Sequence, residues 1–473
     1  MSNLASPIAV VLTILTISAG VSGADSISVK VRAGVSTDAA ASVLRGDVWT
    51  DSIATVEPLF RVPAARIDLA AKHGLDRWLR VRLRPGTDPR AIERSLRALA
   101  PIVEVAEQSA LGAFGDVTLP NDPNFATQFG VHNTGQTVSG SVGVVDADCD
   151  GPEAWALEPS RPVIVGVVDA GVAQHVDMAG RVLPGWNIST QTPEIFDACS
   201  SHGTHVSGIV AATRNNGTAI AGLNDVAFIL PVQVFYPNCT GQMSEVAEGF
   251  VWAVDHGAQI INASIHSYEF EQVVEDSVNY CYDAGVLVVA IAGNGNADVA
   301  YPGKHEHALA VAATTNKDVR ASFSNNGPEV EIAAAGANVM SLVGTSGVGF
   351  KSGTSMAAPH VTGLGAMLLG RAPWLTPDAL WELMRDTADD VEAPGFDENT
   401  GWGRINAFTA MTTLLERLAS GDLDADGTVG PQDLAMLLGA WGPATGSDGL
   451  GDIDGDGDVG PTDLGILLGA WGA

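Results

Sequence analysis

VIVGVVDA (163–170) is an apolar run that ends on one carboxylate, Asp169. A strand with one wet face would alternate apolar and polar residues, whereas a short continuous run needs cover on both faces. FILPVQVF (228–235), QIINASI (259–265), VLVVAIAG (286–293) and ALAVAAT (308–314) have the same character. Between several of them lie helical patterns, at 202–213, 244–256 and 271–284. Doubly buried strands linked by helices predict an α/β fold with a largely parallel central sheet flanked by helices. Polar residues just past such strands face the crevice at their carboxyl ends, where these folds keep their sites. Asp169 and Asn294 both hold that position.

The remainder of the 473 residues reads differently on either side. At the start, MSNLASPIAVVLTILTISAGVSG holds an apolar run from Ile8 to Ile17 and ends in small residues before Ala24. That is a secretory signal pattern over 1–23, too short for a comfortable membrane span, although its first residues carry no Lys or Arg. No later segment reaches about 18 uninterrupted apolar residues, so the mature chain is expected to be soluble. Residues 24–115 contain RWLRVRL (77–83) and IVEVAEQ (102–108), strand-like, around an amphipathic helical stretch DPRAIERSLRAL (88–99). They predict a small α+β unit.

Net charge is −31. Residues 24–115 carry 13 basic and 11 acidic side chains, leaving 24 − 13 = 11 basic and 55 − 11 = 44 acidic elsewhere. So negative a body repels nucleic acid and anionic membranes and favours solubility and calcium. Four cysteines in an exported chain imply two disulfides with three possible connectivities, and no CxxC pair supports zinc.

Two stretches carry nucleophile chemistry. SSHGTHVSG (200–208) places His202 and His205 three apart, and GTSMAAPHVTG (353–363) opens an apolar helix with Ser355 in its first turn. A serine there is usually only a cap. Ser355, however, follows Gly353 and precedes small residues, which lets a substrate backbone come close to a helix end rich in free N–H donors. A hydroxyl needs a base, and the base an orienting carboxylate.

VVDAG, HGTHVSG and GTSMAAPH, in the order Asp, His, Ser, resemble the motifs of subtilisin-like serine proteases over residues 117–412, ending in GWGRINA (401–407). The resemblance implies that Ser355 attacks the scissile carbonyl, His202 relays the proton and Asp169 fixes the histidine. AGNG resembles the oxyanion segment, implying the Asn294 amide as a donor. Ser264, Ile265, His266, Ala292 and Gly293 would line the substrate cleft, with His266 standing where relatives have glycine. His205 is expected to pack inside the fold, not to bind metal.

Further implications follow from the same resemblance. Residues 24–115 resemble an inhibitory propeptide. Proteinase K-like relatives carry a disulfide that pairs Cys199 with Cys239, which leaves Cys149 for Cys281. PNDPNF (120–125), the HVDM segment and RNNGTAIAG (214–222) resemble a calcium site with Asp122, Asp177 and Asn216 as side-chain ligands and the carbonyls of Thr218 and Ile220.

The tail repeats at a period of 30: DLDADGTVGPQDLAMLLGAWG (422–442) and DIDGDGDVGPTDLGILLGAWG (452–472). Asp422, Asp424, Asp426 and Asp433, then Asp452, Asp454, Asp456 and Asp463, stand at alternating and twelfth loop positions, with Gly427 and Gly457 at the sixth. Carboxylates so spaced converge on one cation. Each loop precedes a single helix and resembles a dockerin repeat, which implies structural Ca²⁺ and a cohesin-like scaffold as partner. A calcium cap without a partner is the other role.

The expected organisation is therefore signal 1–23, propeptide 24–115, peptidase 116–416 and dockerin-like module 420–473. The activity expected is that of a secreted or cell-surface serine endopeptidase acting on polypeptides, monomeric and without a catalytic metal. A catalytically silent scaffold and an esterase share parts of this pattern. The complete Asp–His–Ser set argues against the first and the lack of a nucleophile-elbow sequence against the second.

Overall fold

The computed structural model describes residues 26–32, 36–45, 52–58, 77–84, 87, 92, 96, 99, 102–108, 119–157, 161–443, 450–453 and 458–472. The signal pattern at 1–23 and most of the helix expected at 88–99 lie outside the described residues. The chain divides into two compact units, 1–113 and 114–473.

In the first unit, β1 (Ser26–Val31), β2 (Ile53–Pro58), β3 (Trp78–Leu83) and β4 (Val103–Gln108) form an antiparallel sheet in the order β2-β3-β1-β4, with α1 (Thr37–Leu44) beside it. Alternate strand residues (Val29, Val31, Leu79, Val81, Leu83) turn to one face and meet Ala40, Leu44, Ile92 and Leu96 in a single core. Ile92 and Leu96 are helical, as the expected amphipathic stretch requires.

The second unit is built on seven parallel strands: β5 (Ile164–Asp169), β6 (Trp186–Asn187), β7 (Phe228–Gln233), β8 (Ile260–Ala263), β9 (Leu287–Ile291), β10 (Ala308–Thr314) and β11 (Val330–Ala335). Their order is β11-β10-β9-β8-β5-β7-β6. On one face pack α2 (His202–Ala211), a hairpin of β12 (Val339–Val343) and β13 (Gly347–Lys351), α5 (Thr354–Arg371), α6 (Pro377–Asp386) and α7 (Ala407–Ser420). On the other pack α3 (Met243–Asp255) and α4 (Gln272–Asp283). Cover on both faces is why the strands read as continuous apolar runs. Helix α5 is buried on all sides from Thr354 to Gly370, which is why it reads as apolar throughout and not as amphipathic.

Cys199 and Cys239 are disulfide-bonded, their Cα atoms 5.3 Å apart. The expected Cys149–Cys281 bond is not formed. Cys149 lies in the core on the α5 face and Cys281, on α4, in the core on the opposite face, so the sheet separates the two thiols. A disulfide needs Cα atoms within about 7 Å. Burial pushes the Cys149 thiol well above its ordinary value and Cys281 up to about 12.

Among the described residues no helix is long and apolar enough to cross a membrane. The tail follows α7 directly. Its helices α8 (Pro431–Gly439) and α9 (Pro461–Gly469) share a small core of Leu423, Val429, Leu437, Val459 and Leu467. Trp374, three residues past the end of α5, donates its indole N–H to the Leu423 carbonyl at 2.5 Å and ties this module to the sheet unit.

Candidate active site

Strand β5 delivers Asp169 to its carboxyl end, fully buried. His202 opens α2 opposite it, with Nδ1 2.8 and 3.0 Å from Asp169 Oδ1 and Oδ2. An ionised carboxylate only accepts, so Nδ1 carries the proton and Nε2 is left as the basic atom. Burial pulls the His202 pKa down, but the charge and hydrogen bond of Asp169 outweigh it and the net shift is upward. The approach to His202 is unusual backbone: Cys199, Ser200 and Ser201 all have left-handed φ, between 54° and 62°. Asp197 holds that loop by accepting from Ser201 Oγ at 2.6 Å and Thr204 Oγ1 at 2.7 Å, and the Cys199–Cys239 bond holds it covalently.

His205 does no such work. Its Nε2 donates to the Gly349 carbonyl at 3.0 Å, its Nδ1 is buried without a partner, and burial drives its pKa down to about 3. It packs α2 against the β12–β13 hairpin as a neutral ring.

Ser355 stands in the first turn of α5, over the carboxyl ends of the strands, where first-turn N–H groups lack intrahelical partners. Pro359, four residues on, has no N–H for the Ser355 carbonyl. Ser264, just past β8, supplies the missing donor: its Oγ bonds that carbonyl at 3.0 Å. Asn262 Nδ2 bonds Ser264 Oγ at 2.9 Å, and Thr362 Oγ1 bonds Asn262 Oδ1 at 3.0 Å, so strand and helix are stitched below the serine. The Ser355 hydroxyl itself points to the Ser264 carbonyl, 3.5 Å away. Asn294, past β9, accepts on Oδ1 from Thr354 N at 2.8 Å and Thr354 Oγ1 at 2.9 Å. With the oxygen so fixed on Thr354, the residue before Ser355, its Nδ2 is the end left to donate.

A buried carboxylate with the imidazole whose proton it fixes, and a serine at a helix start with an oriented amide beside it, thus stand over the carboxyl ends of the central parallel strands. The model of the subtilase family matches residues 160–403. The chain belongs to the subtilase family. It is 35% identical over 299 residues to thermitase of Thermoactinomyces vulgaris, covering 62% of this chain and 99% of that one. To the thermophilic serine proteinase of a Bacillus species it is 33% identical over 327 residues, 68% of this chain and 76% of that one. A solved protease of Pseudoalteromonas arctica superposes with a TM-score of 0.56 at 28% identity, covering 63% of this chain and all of that one. This subtilase is accordingly a serine-type endopeptidase, a hydrolase.

Of the residues expected to line the substrate cleft, Ser264, Ile265, Ala292 and Gly293 are buried, while His266 is exposed and lies edge-on to Tyr268 with centroids 5.5 Å apart. The extra imidazole at 266 is therefore swung outward. Thr354, Asn262 and Thr362 were not singled out by sequence. Their only sequence signal is a polar residue inside an otherwise apolar strand or helix.

Asp122, Asp177 and Asn216 come together. Asp122 accepts from Asn215 N at 2.9 Å and Asn216 N at 3.3 Å, and Asp177 from Ile220 N at 3.0 Å and Asn216 Nδ2 at 2.7 Å. Both carboxylates are buried, and burial, with the nearby Asp122 charge, raises the Asp177 pKa. Asn216 presents its nitrogen here, so acting as an oxygen ligand would require the amide to turn.

In the tail, oxygens of Asp422, Asp424 and Asp426 lie within 4.8 Å of one another. Asp422 Oδ1 is buried without a hydrogen-bond partner, and burial lifts this carboxyl to about 6. Asp433 closes the loop by accepting from Leu423 N at 2.6 Å and Gly430 N at 2.7 Å, and Asp463 repeats this with Ile453 N and Gly460 N, both at 2.7 Å. Asp452 is described, whereas Asp454, Asp456 and Gly457 lie outside the described residues. An orphaned buried carboxylate oxygen among two others is a set of hard donors that suits Ca²⁺.

Proposed function

We propose that Ser355, His202, Asp169 and Asn294 carry the endopeptidase reaction. His202 Nε2 takes the Ser355 proton as Oγ attacks the peptide carbonyl. The tetrahedral oxyanion is held by Asn294 Nδ2 and Ser355 N–H. His202 then delivers the proton to the leaving amine, and an acyl-enzyme remains for water to hydrolyse by the same relay. Asp169 keeps Nδ1 protonated and stabilises the cation that forms. The observation that carries this reading is the bidentate approach of Asp169 to His202 Nδ1, which leaves Nε2 the only basic ring atom. Substitution Ser355→Ala should abolish peptide hydrolysis while preserving Tm. Retained turnover would contradict the assignment.

The same reading extends to the rest of the chain. Residues 24–115, near neutral in charge beside a strongly acidic body, would serve as an inhibitory propeptide, and 1–23 as the export signal. Several curated relatives are named extracellular proteases, which supports secretion. Asp422, Asp424, Asp426 and Asp433 would hold one structural Ca²⁺, with Asp452, Asp454, Asp456 and Asp463 as the second set. Asp122, Asp177 and Asn216 would hold another in the peptidase body. Calcium binding would neutralise a tail that has ten acidic and no basic side chains. Trp441 and Trp471, about half exposed, would face a cohesin-like partner if the tail docks and solvent if it caps. Pull-down by a cohesin panel, with and without calcium, separates these two roles.

A further inference from the structure

We propose that Asn325, together with Tyr268, is a positioning residue that sets the aim of the Asn294 amide; this rests on the reading of Asn294 as oxyanion donor. Asn325 lies between β10 and β11, fully buried. Its Oδ1 accepts from Gly295 N at 2.8 Å and Ala297 N at 3.0 Å. Its Nδ2 reaches the carbonyls of Asp298 at 2.8 Å and Ala292 at 3.0 Å and the Tyr268 hydroxyl at 3.1 Å. Its backbone N–H bonds the Gly293 carbonyl at 2.9 Å. Two N–H donors on one side and two carbonyls on the other admit only one orientation of the side-chain amide.

One buried side chain therefore grips residues 292–298 from both ends, with Asn294 in the middle of the grip. The glycines beside Asn294 make room for it. Gly293 has φ +110°, and a Cβ there would strike Asn325 Nδ2, while a Cβ on Gly295 would strike the Tyr268 hydroxyl. Tyr268 follows Ser264–His266 by two residues, so its hydroxyl joins that wall of the cleft to the Asn294 loop through Asn325. Thr354 fixes the far end of Asn294, and Asn325 fixes the backbone it grows from. Neither Asn325 nor Tyr268 bonds Ser355, His202 or Asp169 among the described residues, so the effect must pass through Asn294.

The test is a double-mutant cycle on the matured enzyme with a chromogenic peptide, measuring kcat and KM for wild type, Asn325→Ala, Asn294→Ala and both together. Asn325→Ala should lower kcat about tenfold with little change in KM, since small misplacements of a catalytic group act on the transition state. In the Asn294→Ala background the same substitution should leave kcat unchanged. An equal loss in both backgrounds, or no loss in the wild type, would overturn the proposal. Should Asn325→Ala fail to fold, Tyr268→Phe removes one hydroxyl and should lower kcat about threefold, again only when Asn294 is present. If Asn294→Ala keeps wild-type kcat, the reading of Asn294 falls, and this inference with it.

Discussion

At the scale of single residues, hydrogen-bond accounting explains the site. Pro359 deprives the Ser355 carbonyl of its helical donor, and Ser264 replaces it. Ser264→Ala should leave that buried carbonyl unpaired and lower stability by about 1–3 kcal/mol, read as a lower Tm. In the proposed relay His202 must be neutral to act, and Asp169 holds its pKa above the ordinary 6.5. Activity should therefore rise with pH through that raised value. The stability gained from the ion pair runs the other way, present below the unfolded pKa and lost as pH climbs past the folded one. Asp169→Asn should move the acid limb of the kcat/KM profile to lower pH and cut kcat by about 10⁴. An unmoved limb would mean that Asp169 does not govern His202.

At the scale of elements, the strands that bear the site were legible because cover on both faces forces apolar runs. VIVGVVDA and VLVVAIAG lead to Asp169 and Asn294, which the structure presents at the carboxyl ends of these strands. The edge strands were not legible. VEIAAA at β11 is half alanine, β6 has two residues, and neither contrasts with its flanks. Asn325 was equally hidden: in SNNG it resembles any turn asparagine, and the partners of its side chain lie 27 to 57 residues away. The Cys149–Cys281 pairing failed for a related reason, since a sequence does not say which face of a sheet a residue will occupy, whereas Cys199–Cys239 formed as expected. Native protein should thus show one disulfide and two thiols, Cys149 and Cys281, that resist alkylation until unfolding, because burial keeps them protonated. Replacing Cys199 and Cys239 by serine should cost about 2–4 kcal/mol and loosen the loop before His202, with thermal inactivation as the readout.

At the scale of the whole molecule, the acidic charge and the duplicated tail belong together. Aspartates at fixed spacing were readable, but their link to the peptidase body was not. It runs through the Trp374 indole and the Leu423 carbonyl, far apart in sequence. Because Trp374 follows the helix that carries Ser355 in its first turn, a tail that holds calcium as proposed should destabilise the peptidase itself when the metal is removed. If calcium stands at 100 times its Kd, chelation should remove about 2.7 kcal/mol of stability. Calorimetry with and without chelator reads this directly, and Asp422→Asn should mimic part of the loss. A peptidase transition indifferent to calcium would leave the tail energetically separate.

All three scales bear on the proposal that His202 and Asp169 make Ser355 nucleophilic. The most direct measurement is labelling of the matured protein with a fluorophosphonate, followed by peptide mapping. One adduct on Ser355 is expected, falling by orders of magnitude in His202→Ala at unchanged Tm. An adduct on another serine, or labelling of Ser355 that ignores the loss of His202, would contradict the account.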